Sequence, residues 1–277
     1  MKKNYEKKGY LYDDFRMFHL KDDFEREYQY HYHEFYKILI FIRGNVTYNI
    51  EGKAYKLKTQ DMVLVNRTQI HKPDVIAGEP YERIIFYISR EYLDLHKGQE
   101  YDLADCFHNA RSANSDVLRF PAMVNSRLME IINKIEENGK IQAYAHELYA
   151  NVLFMEFMVL LNRACMEEKD CFSQNITYNQ KMLDLLGYIN EHLKEDLTID
   201  ALADRFYISK YHMMRQFKEE TGYTIHQYIT EKRILAARNL LMAGMPATKA
   251  CYECGFKDYS TFSRAFKTRT EKKPSEI

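Results

Sequence analysis

The chain has 277 residues, 46% of them hydrophobic and 29% charged, the composition of a folded protein long enough for two domains with separate cores. Forty basic side chains balance 40 acidic ones, so no overall field draws the chain to nucleic acid, and any DNA-binding role has to come from a local face. No apolar run reaches the ~18 residues of a membrane span, the first nine residues lack a signal-peptide core, and five cysteines without framework spacing point to a reducing compartment; the expectation is a cytoplasmic protein with no membrane partner.

Residues 28–88 read as strands. Positions 36–42 form a β-prone apolar run stopped by Arg43-Gly44; Val46, Tyr48 and Ile50 then alternate, Glu51-Gly52 makes a hairpin turn, and Tyr55 and Leu57 lead back. Residues 61–65 and 81–88 bring the short strands to at least six, which predicts a small barrel or sandwich. Within this stretch His31-x-His33, Lys37 and Gly44 have the spacing of the first cupin motif. Gln60, Asn66, Thr68 and His71 fall on the Gly, Pro, Gly and His of the second. The segment therefore resembles a cupin barrel. In metal cupins two histidines of the first motif, a Glu four residues on and the His of the second motif bind iron, manganese or zinc. Three imidazoles can hold zinc with an open position, but Lys37 stands in place of the Glu and an ammonium repels a cation. No metal and no cofactor are assigned; His31, His33 and His71 are read as lining an organic-ligand pocket or as structural residues.

Residues 103–118 read as a loop with a turn-rich patch at 109–112. Pro121 opens a helix carrying Val124, Leu128, Ile131, Ile132 and Ile135, which ends near Asn138-Gly139. A second helix, from Ile141 to about Met166, is apolar over more than one face and needs two neighbours. Either it is fully buried within the monomer, or one face meets a second subunit. Residues 167–178 are polar and read as a linker; Met182, Leu185, Leu186 and Ile189 then place a helix over 179–193. The predicted division is a barrel over 1–100, a helical hairpin over 101–170, a linker over 171–178 and a helical domain over 179–277.

The most informative stretch, 198–273, states one pattern twice. Leu202-Ala203-Asp204-Arg205-Phe206, a break at Tyr207-Ile208, Ser209, and Arg215-Gln216-Phe217-Lys218 make the first copy. Ala250-Cys251-Tyr252-Glu253-Cys254, a break at Gly255-Phe256, Asp258, and Arg264-Ala265-Phe266-Lys267 make the second. Arg, Phe and Lys recur 49 positions apart. Ser209 and Asp258 suit N-caps; Met213 with Phe217, and Phe262 with Phe266, are the buried pairs of the two second helices. Each copy thus reads as a helix-turn-helix. Residues 225–243 predict a connecting helix begun by Thr224 and ended by Gly244, with Pro246 opening the next. At ~1.5 Å per residue it spans roughly 28 Å, close to the ~34 Å between successive major-groove segments on one face of a duplex. Outward Arg side chains suit bidentate contact with guanine, while Lys and Ser suit phosphates. From Asn179 onward 16 basic residues face 13 acidic ones, a small excess that fits a local basic face. Cys251-x-x-Cys254 lacks a second Cys or His pair at ligand spacing and reads as a pair of buried thiols.

At Leu-Ala-Asp 202–204, Ser209, Phe217-Lys218-x-Glu220-Thr221-Gly222, Arg233, Gly255-Phe256, Asp258, Phe262-Ser263-Arg264-x-Phe266-Lys267 and Pro274, the chain resembles the DNA-binding domain of the AraC/XylS family of bacterial transcription regulators. It departs from that pattern at Tyr207 and Glu271, where glycine is usual. The resemblance implies an α+β two-domain protein, an N-terminal cupin-like β-barrel with a helical hairpin followed by an all-α double helix-turn-helix. It implies double-stranded DNA as partner, read by Lys210, Tyr211, Met214, Arg215, Lys218, Tyr259, Ser260, Ser263, Arg264 and Lys267. It also implies a small-molecule effector, with a carbohydrate the expected class, held near His31, His33, Arg43 and His71. A homodimer through the helical hairpin and contact with RNA polymerase are expected as well, with no catalytic activity. The rival reading is a metal-cupin oxygenase or isomerase carrying a helical appendage, which Lys37 and Gln60 count against; a constitutive DNA binder with an empty barrel is a third.

Overall fold

The computed structural model describes residues 11, 13–22, 27–76, 78–141, 143–168 and 170–277. The chain divides into two units, residues 1–50 with 54–177, and residues 51–53 with 178–277.

The first unit is built on β1 (Phe15–Asp22), β2 (Tyr36–Arg43), β3 (Val46–Ile50), β4 (Lys53–Lys56), β5 (Met62–Val65), β6 (His71–Val75), β7 (Tyr81–Ile88), β8 (Val117–Leu118) and β9 (Ile176–Tyr178). They form two sheets, ordered β1-β7-β2-β5-β8 and β6-β3-β4-β9. The predicted barrel is thus an open pair of sheets, with no hydrogen-bonded ring among the described residues. The alternation along β2 explains the pairing. Leu39 and Phe41 point into a core shared with Val46, Tyr48, Ile50 and Tyr55 of the second sheet. Ile38 and Ile40 point the other way, onto helix residues Phe107, Leu128, Ile132, Phe154 and Phe157. A strand buried on both faces reads as a continuous apolar run, and a slip of one residue would exchange its two packing partners. The β3–β4 turn has positive φ at Glu51 and Gly52 (46° and 80°), as a two-residue hairpin requires.

Four helices cover the first sheet's outer face: α1 (Arg90–Leu95), α2 (Asp105–Ser112), α3 (Ala122–Lys140) and α4 (His146–Glu167). Two sequence expectations change here. Residues 103–118 are not a continuous loop, since Cys106, Phe107 and Ala110 form one buried face of α2 and Val117–Leu118 is β8. Asn162 of α4 anchors α2, accepting from Cys106 N (2.6 Å) and donating to Leu103 O (3.0 Å). The polar stretch read as a linker is tied to the sheet: Ser173 N donates to Val117 O (2.8 Å), Ser115 Oγ donates to Ser173 O (2.7 Å), and β9 follows. In addition, β1, which precedes the stretch read as strands, pairs along its length with β7.

The second unit holds α5 (Gln180–Glu191), α6 (Ile199–Phe206), α7 (Lys210–Thr221), α8 (Ile225–Met242), α9 (Ala247–Glu253), α10 (Tyr259–Thr270) and a 3-10 turn at Pro274–Glu276. Local chemistry sets the boundaries. Thr198, Ser209, Thr224 and Asp258 each accept a backbone N–H of the helix they open, and Gln227 completes a capping box with Thr224. Gly222 closes α7 in the left-handed conformation. α8 packs against α5, α7, α9 and α10 and so ties the two helix pairs together. Its buried Glu231 accepts from Arg269 Nε of α10 (2.6 Å), and its Arg233 donates to Leu193 O (2.8 Å) and Glu195 O (2.7 Å) after α5. Cys251 and Cys254 are free, buried thiols in a core with Ile234, Leu241, Phe262 and Phe266.

Candidate functional site

Two groups of side chains carry chemistry, one in each unit. In the second unit, Met213 and Phe217 hold α7 in place from one face, which leaves Lys210, Tyr211, Met214, Arg215 and Lys218 exposed on the other. Phe262 and Phe266 do the same for α10, exposing Tyr259, Ser260, Arg264 and Lys267, with Ser263 half-buried. All ten residues read from the sequence as DNA contacts therefore lie off the cores of their helices. Several have only local partners. Arg215 Nε sits 3.9 Å from Glu219, Arg264 Nε donates to Ser260 O (3.4 Å), and Lys210 pairs with Asp200. Exposed pairs of this kind are worth little, so these cations are free to exchange partners.

In the first unit, His31 and His71 form an antiparallel bridge, each backbone N–H donating to the other's carbonyl (3.1 and 2.9 Å). Their rings lie 4.3 Å apart, and the His33 ring lies 4.8 Å from that of His71. Each imidazole contacts a backbone carbonyl through Nδ1: His31 with Gln29 (2.9 Å), His33 with Phe35 (2.8 Å) and His71 with Gln69 (2.9 Å). A carbonyl only accepts, so each Nδ1 carries the proton and each Nε2 offers a lone pair. The Nε2 of His33 is buried and has no partner. That of His71 lies 3.5 Å from Lys37 Nζ, which donates to Tyr48 Oη at 2.9 Å. Burial, with the Lys37 charge second, holds His33 and His71 well below the usual imidazole range. Burial, with Arg83 second, brings Lys37 down to about 7.

Arg43 is not part of this group. A register shift between Phe41 and Arg43 takes it out of the alternation, and it ends β2 exposed. The inward cation is instead Lys37, whose parity with Leu39 and Phe41 was legible in the sequence but was read only as a missing metal-binding Glu. Phe35, stacked on His33 at 4.1 Å, gave no such signal. Among the described residues, the ligand atoms close enough together to share an ion are those of Asp102, Asp105 and His108, and the two acids already accept from Lys97 and from backbone N–H groups.

Residues 19–153 match the family described as AraC-like ligand binding domain, and residues 202–277 match the one described as Helix-turn-helix domain. The chain belongs to the AraC family of transcription regulators. The HTH-type transcriptional activator RhaR of Escherichia coli (strain K12) is 27% identical over 249 residues, covering 89% of this chain and 85% of its own length. RhaS of Salmonella schwarzengrund is 24% identical over 254 residues, with 89% and 86% covered. The structure of ToxT from Vibrio cholerae is 17% identical and covers 95% of this chain and 97% of its own, at a TM-score of 0.36, too low to establish a shared fold. This AraC-type regulator thus combines a DNA-binding domain with a small-molecule-binding domain, and the two residue groups described above fall one in each.

Proposed function

We propose that the regulator reads two successive major-groove segments with α7 and α10 and that an effector held at His31, His33 and His71 controls it. The observation that carries this reading is the repeated placement of an exposed Arg, Arg215 and Arg264, on a helix whose opposite face is fixed by two large apolar side chains. A guanidinium fork on a rigid helix matches O6 and N7 of guanine, while Lys210, Lys218, Ser263 and Lys267 suit phosphates, and Tyr211, Met214, Tyr259 and Ser260 complete the base-facing surface. RhaR and RhaS are activators, and we assign the same direction of control here, exerted through RNA polymerase in the cytoplasm. The role is non-catalytic, because Lys37 occupies the place of the acidic ligand a metal cupin needs.

The dimer is assigned to α4. Leu148, Val152, Val159 and Met166 are exposed apolar residues along one side of that helix, interspersed with Glu156 and Arg163, and lie opposite the buried Leu153, Phe154, Phe157, Met158 and Leu161. A second copy covering that side would remove them from water. The test is to map the sites the full chain binds across its source genome and to measure affinity for one of them in gel shifts over a salt series. Specific binding that weakens steeply with salt, as counterion release requires, and that falls for both Arg215→Ala and Arg264→Ala, is the expected result. Unchanged affinity for both variants removes the reading.

A further inference from the structure

Among the described residues, Lys37 in the first unit lacks a counter-charge. Lys37 is 5% exposed, and among the described residues its Nζ reaches Tyr48 Oη and His71 Nε2. The titratable groups that act on it or on its partner Tyr48 are Tyr48 itself from β3, His71 from β6, His31 and His33 before β2, Arg83, Tyr81 and Tyr87 from β7, and Tyr28. None is a carboxylate. Arg83 has an acid of its own, Asp22, at 2.8 Å, so that acid is already committed. A buried amine without an anion is costly when charged. Beside it, the buried Nε2 of His33 is an acceptor with no donor, and the Nε2 of His71 has only the long contact to Lys37.

We infer that Lys37 is a ligand-binding residue and that the effector is a hydroxylated carboxylic acid, its carboxylate meeting Lys37 Nζ and its hydroxyls donating to Nε2 of His33 and His71. This rests on the reading that the first unit holds an effector and adds its chemical class. Each simpler ligand leaves one need unmet. A neutral polyol supplies donors for the imidazoles and nothing for the amine. A fatty acid supplies the anion and leaves the imidazole lone pairs bare. A divalent cation suits the imidazoles and is repelled by the ammonium. Aldonates, uronates and short 2-hydroxy acids supply both, and Tyr87 lies beside His33 as an aromatic neighbour for the carbon skeleton. The proton balance follows. Free Lys37 titrates near 7 and a bound carboxylate favours its ammonium form, so binding takes up a proton above pH 7. Affinity is then greatest below pH 7 and falls by up to about tenfold per unit above it.

The experiment is thermal shift and calorimetry on the full chain with a panel of aldonates, uronates and 2-hydroxy acids. D-gluconate and D-galacturonate are included, alongside D-glucose, D-galactose, oleate and zinc chloride. At least one acid should stabilise the protein and bind about tenfold or more tighter than its neutral parent, with that advantage shrinking between pH 7 and 8. Lys37→Met should erase the difference between acid and neutral parent while the variant still unfolds cooperatively, since removal of a desolvated amine offsets the hydrogen bond lost to Tyr48 Oη. His33→Ala should weaken the acid and its parent alike. No binding by any acid, equal or tighter binding of the neutral sugars, tight binding of oleate, or stoichiometric zinc would each overturn the inference. A neutral sugar or oleate bound in a His33-dependent way would still leave the effector reading standing, whereas failure of every probe to shift either melting or DNA affinity would count against both.

Discussion

The two helix-turn-helix copies reach the same backbone conformation at their turns for different reasons. Tyr207 and Gly255 are 48 positions apart and both have positive φ, 52° and 83°. At Gly255 there is no choice, because a Cβ would run into the carbonyl oxygen of Leu193 and lie 2.9 Å from Lys194 Cα. Tyr207 is 91% exposed, so its side chain meets solvent and only the intrinsic cost of a left-handed residue has to be met. The reading helices differ in a parallel way. α7 offers Tyr211 and Met214 beside Arg215, whereas α10 offers Tyr259 and Ser260 beside Arg264. A duplicated motif therefore keeps its buried pairs and its caps while its turn and its outward face diverge, since each site answers to its own surroundings.

The comparison breaks first at the turn. Gly255→Ala should cost roughly 3–5 kcal/mol, through backbone overlap and an unfavourable φ, and urea unfolding of the full chain measures it. A loss below 1 kcal/mol would mean that the second turn is as open as the first. Next comes Glu231→Ala, which strands Arg269 and separates α8 from α10; about 3 kcal/mol is expected, the low end for a broken buried pair because Arg269 is partly exposed. The readers sharpen the contrast. Arg264→Ala and Arg215→Ala should each lose about 1–3 kcal/mol of specific binding with stability unchanged. Arg264 should lie at the upper end, since Arg215 gives up Glu219 to reach a base; gel shifts on matched half-site variants decide the order. Asp258→Ala and Ser209→Ala each remove one capping acceptor and should cost about 1 kcal/mol of stability, seen as a lowered urea midpoint. The smallest effect belongs to Tyr207→Gly, which should change stability by at most ~1 kcal/mol, relief of the left-handed cost being offset by a more flexible unfolded chain. A large loss there would reveal packing that the exposure of Tyr207 argues against.

The helical unit was legible almost residue by residue. Its caps, stops and buried pairs are decided within one or two turns of the chain, so Ser209, Thr224, Gly222 and Asp258 announce themselves. The sheet unit was legible only where alternation or a turn was strong. The Glu51-Gly52 hairpin and the β2 run stood out; β1, β9 and the short helix α2 did not, because each is held by distant partners. In the effector-binding unit the same limit applies. The histidines were visible as a motif, but a single bulge moved Arg43 outward and strand parity put Lys37 inward.

The sequence by itself determined the repeated helix-turn-helix, the surfaces its second helices expose and the membership of a regulator family, because periodicity and capping are local properties of the chain. Only the tertiary structure decided that, among the described residues, the two sheets stay open, the stretch read as a linker docks on β8, and Lys37 lies buried against Tyr48 and His71 without an acid. Those outcomes depend on which strand lies beside which, and burial and charge compensation are set by neighbours far apart in sequence.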